Sequence, residues 1–145
     1  MYYVVLVTGS RDPNHPSEKV RVALNLAHRG AKTLGLKMLL IHGDAPGVDT
    51  IADRWAERQG VQRVKVPANW NGEGKRGGPI RNQLMLDFAR PRIDMVLAFP
   101  GPESKGTWDM VSRVWRTHTL LAYDTNGRTI NAESIEANLE RLGLL

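Results

Sequence analysis

The sequence predicts an α/β protein with a Rossmann-like, doubly wound parallel sheet of about five strands and helices on both faces. Three observations predict it. Short β-branched apolar runs alternate with apolar positions at helical spacing, each run is stopped by a glycine, a proline or a turn sequence, and the alternation continues to about residue 123. Continuous apolar runs mark strands buried on two faces, and right-handed crossovers between parallel strands leave few packings other than a helix-covered sheet.

The first strand is Tyr3-Val4-Val5-Leu6-Val7-Thr8, stopped by Gly9. Val20, Ala23, Leu24 and Ala27 then fall at i, i+3, i+4 and i+7, the stripe of a helix that Ser17 caps and that ends between Gly30 and Gly35. Lys37-Met38-Leu39-Leu40-Ile41-His42 is the second strand, stopped by Gly43, and Val48, Ile51, Ala52 and Trp55 mark the second helix, stopped by Gly60. Arg63-Val64-Lys65-Val66 ends at Pro67, and Ile80, Leu84 and Phe88 mark a third helix. Asp94-Met95-Val96-Leu97-Ala98-Phe99 ends at Pro100-Gly101, and Trp108, Val111 and Trp115 mark a fourth helix. The fifth strand, Thr119-Leu120-Leu121-Ala122-Tyr123, ends in the turn sequence Asp124-Thr125-Asn126-Gly127, and Ile135, Leu139 and Leu142 mark a short terminal helix.

A chain of 145 residues fits one domain, here residues 1–145, with a core over 3–123 and a C-terminal extension over 124–145. With 41% hydrophobic and 24% charged residues the composition is that of a folded globular protein. Cysteine is absent, which excludes disulfides, thiol nucleophiles and cysteine-ligated zinc or iron–sulfur sites. The histidines are scattered at 15, 28, 42 and 118 without metal-ligand spacing, so neither a metal nor another cofactor is expected. No run approaches the roughly 20 apolar residues of a membrane-spanning helix and the N-terminus has no leader pattern, so a cytoplasmic protein without a membrane partner is expected. Residues 1–123 carry a net +7 and residues 124–145 a net −2, a modest bias of the main body toward an anionic partner.

In doubly wound sheets ligands bind at the carboxyl edge of the strands, so the strand-to-helix loops carry the functional expectations. The first, Thr8-Gly9-Ser10-Arg11-Asp12-Pro13, offers a close backbone, a hydroxyl and a guanidinium to a phosphate or carboxylate, or is a tight turn with a solvated arginine. It is neither the dinucleotide fingerprint nor a P-loop. The second, His42-Gly43-Asp44-Ala45-Pro46-Gly47-Val48-Asp49, places Asp44 and Asp49 where either caps a helix, while Gly43 and Gly47 suit a backbone held against a ribose or phosphate. The third runs from Pro67 to Gln83 and holds Trp70, Lys75 and Arg76, with Arg81 and Asn82 opening the next helix. The dipole disfavours an arginine there, and an anionic ligand explains it better. In the fourth, Pro100 to Met110, Gly106 and Thr107 sit where a helix begins and Lys105 adds charge. Thr107 either seats a phosphate or caps the helix, and Asp109 either complements its dipole or acts as acid, base or ribose ligand.

Together these loops resemble the SLOG superfamily of Rossmann-like proteins, which includes LOG-type phosphoribohydrolases and the DNA-processing protein A family, with the small stand-alone YspA-like branch closest. The resemblance covers about residues 3–123. Val7-Thr8-Gly9-Ser10-Arg11 matches the first-strand motif, Gly43-Asp44-Ala45-Pro46-Gly47-Val48-Asp49 is similar to the second-loop pattern of DNA-processing protein A, and Gly78-Pro79-Ile80-Arg81-Asn82-Gln83 with Met85 looks like the arginine-bearing helix start of both families. The fourth loop departs from the Pro-Gly-Gly-x-Gly-Thr pattern of LOG-type enzymes. Pro102 and a longer spacer precede Gly106-Thr107, and Asp109 stands at the first acidic position, one methylene shorter than glutamate.

The resemblance implies a nucleotide or nucleotide-derived ligand, in a site built from Gly9, Ser10, Arg11, Arg81, Asn82, Gly101, Gly106 and Thr107 with its phosphate at the N-terminus of the helix beginning near Thr107, and with Gly43, Asp44, Gly47, Asp49, Trp70 and Lys75 as further binding residues. A phosphoribohydrolase is the alternative: Arg81 orients the ribose phosphate while Asp109 or Glu103 assists cleavage of the N-glycosidic bond. Single-stranded DNA is a second alternative, with Trp70 stacking a base beside Lys75 and Arg76. A homo-oligomer, a dimer, is also expected, because Trp108 and Trp115 beside Met110 and Val114 give more apolar surface than one sheet face needs, unless these tryptophans pack under the acidic C-terminal helix instead.

Overall fold

A computed structural model describes residues 1–88 and 92–145. The strands are β1 (Tyr2–Gly9), β2 (Lys37–His42), β3 (Gln62–Lys65), β4 (Met95–Phe99) and β5 (Leu120–Ala122), and the helices are α1 (Ser17–Thr33), α2 (Val48–Gln59), α3 (Trp70–Glu73), α4 (Gly77–Phe88), α5 (Lys105–Val114) and α6 (Ala132–Arg141). A single 3-10 turn, Gly74–Arg76, joins α3 to α4. The five strands form an all-parallel sheet in the order β3-β2-β1-β4-β5, the doubly wound arrangement expected. The chain steps outward from β1 to β3 and then returns to β4 on the other side. The crevice between β1 and β4 is therefore the switch point, where Gly9 pairs with Phe99 and the Ser10 N–H donates to the Phe99 carbonyl at 2.9 Å.

Alternation along β1 sends successive side chains to opposite faces. Val5 and Val7 pack with Val20, Leu24, Ala52 and Trp55 beneath α1 and α2, whereas Leu6 packs with Met85, Met110 and Val114 beneath α4 and α5. At the β5 end, Trp108 and Val111 pack with Ile135 and Leu139 of α6. Each fully buried aliphatic side chain contributes about 1.5–3 kcal/mol, so these clusters hold the strand ends in register around the crevice.

Several local expectations change. Ser17 is the first residue of α1 rather than its cap. Pro16 holds the cap position without a side-chain bond, and the Ser17 hydroxyl accepts from Arg21 Nη1 at 3.0 Å. The third helix begins at Gly77, so Arg81 and Asn82 lie in its second turn rather than its first, and the segment before it holds α3 and the 3-10 turn. Its buried face is Gly77, Gly78, Asn82 and Met85, while Leu84 is 51% and Phe88 60% exposed. The period correctly marks a helix, but the face turned inward is the one that reaches Asn82 across to α5.

Both sides of α5 are covered within the chain. Trp108 is buried, Trp115 packs partly buried in the same cluster under α6, and Met110 and Val114 lie against the sheet. Most of the apolar surface behind the expectation of a dimer packs inside the fold, with Trp115 partly exposed. Among the described residues no helix is long and apolar enough to cross a membrane.

Candidate functional site

The loops after β1, β3 and β4 converge on a cavity of about 900 Å³ at the carboxyl edge of the sheet. Its geometry begins with Gly9, where an added Cβ would lie 2.6 Å from the Val48 side chain. That close approach docks the N-terminus of α2 on the first loop, and the Val48 N–H donates to the Ser10 carbonyl at 2.9 Å. Ser10 is buried, and its Oγ accepts from the Asp12 N–H at 3.1 Å. Across the crevice, a Cβ on Gly101 would lie 2.9 Å from Ser10 Oγ, and Ser104 Oγ accepts from the Gly101 N–H at 2.6 Å. The first and fourth loops are thus locked together.

Gly106 and Thr107 stand in the first turn of α5, ahead of the intrahelical bond from the Trp108 N–H to the Ser104 carbonyl at 3.0 Å. Their N–H groups belong to the end of a helix where the backbone carries partial positive charge. Thr107 is buried on the cavity wall and is not the cap. Ser104 holds that position, with no side-chain cap bond. Asp109 falls in the second turn, so it does not complement the helix dipole from the first.

Arg81 is anchored on two sides: Nη1 donates to the Gly43 carbonyl and Nε to Asn82 Oδ1 at 3.0 Å. Burial lowers its guanidinium below the ordinary value, Asp49 and Asp109 oppose the shift, and Arg11 adds to it. Asn82 is buried and donates from Nδ2 to the Gly106 carbonyl at 3.1 Å and to Asp109 Oδ2 at 2.9 Å, which ties α4 to α5. Arg11 lies over the Trp70 ring, 5.4 Å from its centroid, and Trp70 itself is 44% exposed. Lys75 and Lys105 also line the cavity, so its cations come from four separate segments.

The three residues read as catalytic all line the cavity, yet the carboxylates differ in freedom. Asp109 Oδ2 accepts from Arg113 Nε at 2.9 Å as well as from Asn82, and Oδ1 accepts from Arg113 Nη2 at 3.3 Å. Glu103 is exposed on the rim.

The second loop divides. Gly43, Asp44 and Gly47 are not among the cavity-lining residues, whereas Asp49 is. Gly43 makes room for Arg81, since a Cβ there would lie 2.1 Å from Nη1, and Gly47 has φ +80° with its Cα side pressed on the Ser10 carbonyl. Asp44 is exposed at φ +55°. Asp49 does not cap α2. Its Oδ2 accepts from the Gly43 N–H at 3.0 Å and the Ala45 N–H at 3.2 Å, and burial raises its carboxyl above the ordinary range against the opposing pull of His42, Arg81 and those N–H groups.

Sequence reasoning missed Arg113 and Leu144. Arg113 stands four residues after Asp109, a spacing that a helical reading offers as an ion pair. Leu144 lines the cavity from the C-terminal extension, held by a bond from its N–H to the Leu139 carbonyl at 2.8 Å, and no local signal announces it.

The profile of the YspA, cpYpsA-related SLOG family matches residues 3–72. The Gene 61 protein of Mycobacterium phage D29 is 34% identical over 108 residues, which cover 71% of this chain and 81% of the phage protein. The chain belongs to the YspA, cpYpsA-related SLOG family. No solved structure matches it. The SLOG profile takes in the first two loops and Trp70, whereas Arg81, Asn82, Thr107 and Asp109 lie beyond it. Membership in the SLOG family points to a nucleotide-related ligand at a coarse level.

Proposed function

We propose that this SLOG protein binds a nucleotide or nucleotide-derived ligand, with the phosphate against the first turn of α5 and the rest of the molecule in the cavity. The observation that carries the reading is the convergence of the Gly106 and Thr107 backbone, the buried Ser10, and the cations Arg11, Lys75, Arg81 and Lys105 on one cavity at the switch point. A helix N-terminus flanked by guanidinium and ammonium groups favours a compact anion, and a cavity of about 900 Å³ leaves room for the sugar and base.

The ligand is held rather than cleaved. Cleavage of an N-glycosidic bond needs a carboxylate free to act at the reacting centre, placed to within about an ångström. Both oxygens of Asp109 are engaged by Arg113 or Asn82. Glu103 sits exposed on the rim, in solvent rather than in a desolvated position suited to acid–base work. A single-stranded DNA partner fits less well, because the cations surround a cavity rather than a track.

The test is native mass spectrometry of the purified protein, followed by calorimetric titration with nucleoside monophosphates and with oligodeoxynucleotides at two salt concentrations. A mononucleotide that binds with a shallow salt dependence supports the reading. Absence of binding by every mononucleotide, or a steep salt slope with oligonucleotides alone, overturns it.

A further inference from the structure

Asp49 holds a position that the seating of a phosphate does not use. It lies in the first turn of α2, is 5% exposed, and borders the cavity. Its Oδ2 is satisfied by the Gly43 and Ala45 N–H groups, but among the described residues Oδ1 is buried with no hydrogen-bond partner. Arg81, near enough to act on its charge, gives Nη1 to the Gly43 carbonyl and Nε to Asn82 instead. A buried acceptor without a donor costs a fold free energy, and its persistence at the wall of a cavity is explained when the donor arrives with the ligand.

Which part of the ligand brings that donor follows from the attachment of α2. The Val48 N–H is bonded to the Ser10 carbonyl at 2.9 Å, and Gly47 is pressed on the same carbonyl, so Asp49 flanks the first loop, whose Ser10 lies against Gly101 of the loop leading into α5, where the phosphate is proposed to sit. In a nucleotide the group next to the phosphate is the sugar.

Resting on the nucleotide reading, we propose that Asp49 Oδ1 accepts a hydrogen bond from a sugar hydroxyl, which makes the site selective for a ribose 5-phosphate moiety over its deoxy counterparts. Oδ1 is shut off from solvent as the site stands, so the hydroxyl reaches it once the ligand shifts the carboxyl group or a neighbour, and in that dry setting a hydrogen bond is stronger than in solvent.

The test pairs ligand and protein changes. Wild-type protein is titrated with adenosine 5′-monophosphate, its 2′-deoxy and 3′-deoxy analogues, inosine 5′-monophosphate, and ribose 5-phosphate with 2-deoxyribose 5-phosphate. Asp49→Asn is titrated alongside. The amide keeps an oxygen for the Gly43 and Ala45 N–H groups and places an NH₂ donor where Oδ1 stands, so it inverts the polarity of one atom at nearly constant shape.

The expected result is a preference of about tenfold or more for the ribose form over at least one deoxy form in the wild type. Asp49→Asn shifts that preference by about threefold or more, because the hydroxyl must then accept from the NH₂ instead of donating, and its melting temperature is equal to or above the wild type's. Equal affinity of the wild type for ribose and deoxyribose forms overturns the inference while leaving the nucleotide reading intact. So does a preference unchanged in Asp49→Asn, or a loss of affinity confined to inosine 5′-monophosphate, which would assign the donor to the base. Failure of all the phosphates to bind overturns both.

Discussion

Arg81 donates from Nη1 to the Gly43 carbonyl across the mouth of the sheet, and the absence of a side chain at Gly43 is what admits it. The bond joins the second loop to α4 over a separation of 38 residues. It makes Gly43 a support for the guanidinium, set apart from the residues that line the cavity.

Gly43→Ala therefore tests Arg81 from a distance. The added Cβ would lie 2.1 Å from the end of a long side chain, not against backbone, so the arginine moves and the fold persists. We expect a stability change below about 1 kcal/mol and a loss of nucleotide affinity approaching that of Arg81→Ala, about 1.5–3 kcal/mol. Calorimetric titration beside a denaturant melt checks both. Unchanged affinity in both variants removes Arg81 from the site.

Prolonged incubation of the protein with nucleoside monophosphates is expected to release no free base or ribose 5-phosphate, as followed by chromatography. The carboxylate of Asp109 is occupied by Asn82 and Arg113. Asp109→Asn should lower stability by about 1 kcal/mol through the lost ion pair, which lies partly exposed. Turnover in the wild type that vanishes in Asp109→Asn or Glu103→Gln would make the protein a phosphoribohydrolase.

Acid stability carries the signature of Asp53. Burial pushes its carboxyl up, but the hydrogen bond from His42 and the charges of Arg63 and Lys65 outweigh that and hold it below the ordinary value. A carboxyl lowered by folding stabilises above its unfolded value, near pH ~3.9, and loses that contribution as pH falls through the folded value. His42 Nδ1 accepts from the Asp44 N–H at 3.0 Å, so the proton sits on Nε2 and is donated to Asp53 Oδ1 at 2.8 Å. Urea melts between about pH 2 and 7 should show a flatter acid limb in Asp53→Asn than in wild type.

Asp49 has the opposite sign. Burial raises its carboxyl, so the folded state resists ionisation and its unfavourable contribution grows as pH rises from the unfolded value through the folded one. Asp49→Asn should gain stability relative to wild type as pH rises over that interval, in the same series of melts. A variant that loses stability at neutral pH would mean the charge itself is needed by the loop.

Trp70→Ala should weaken nucleotide binding by about 1–3 kcal/mol if the ring stacks the base once Arg11 leaves its face. Arg11→Ala should weaken nucleoside monophosphates while sparing the corresponding nucleosides, since Arg11 then loses only its role toward phosphate. Titration of each variant with adenosine and its 5′-monophosphate separates the contributions. Equal affinity of wild type and Trp70→Ala would leave the tryptophan as a partner of Arg11 alone.

The five strands, every helix but α3 and the doubly wound arrangement were legible in the amino-acid sequence because each rests on local chemistry: β-branched runs, stops such as Gly60 at φ +67°, and apolar spacing on helices. The candidate ligand loops were legible for the same reason, since they had to lie where strands end. What only the tertiary structure decided is which way those residues face and what they meet. Ile80, Leu84 and Phe88 announce a helix, yet the inward face carries Asn82, because Asn82 finds the Gly106 carbonyl and Asp109 24 and 27 residues away. Gly43 and Gly47 read as room for a ligand, but they are room for Arg81 and for the Ser10 carbonyl. Leu144 reaches the cavity from an extension with no local mark of its role. Periodicity and turn chemistry report a residue's neighbours along the chain, whereas burial and pairing are set by segments distant in sequence, and those contacts exist only once the sheet has brought them together.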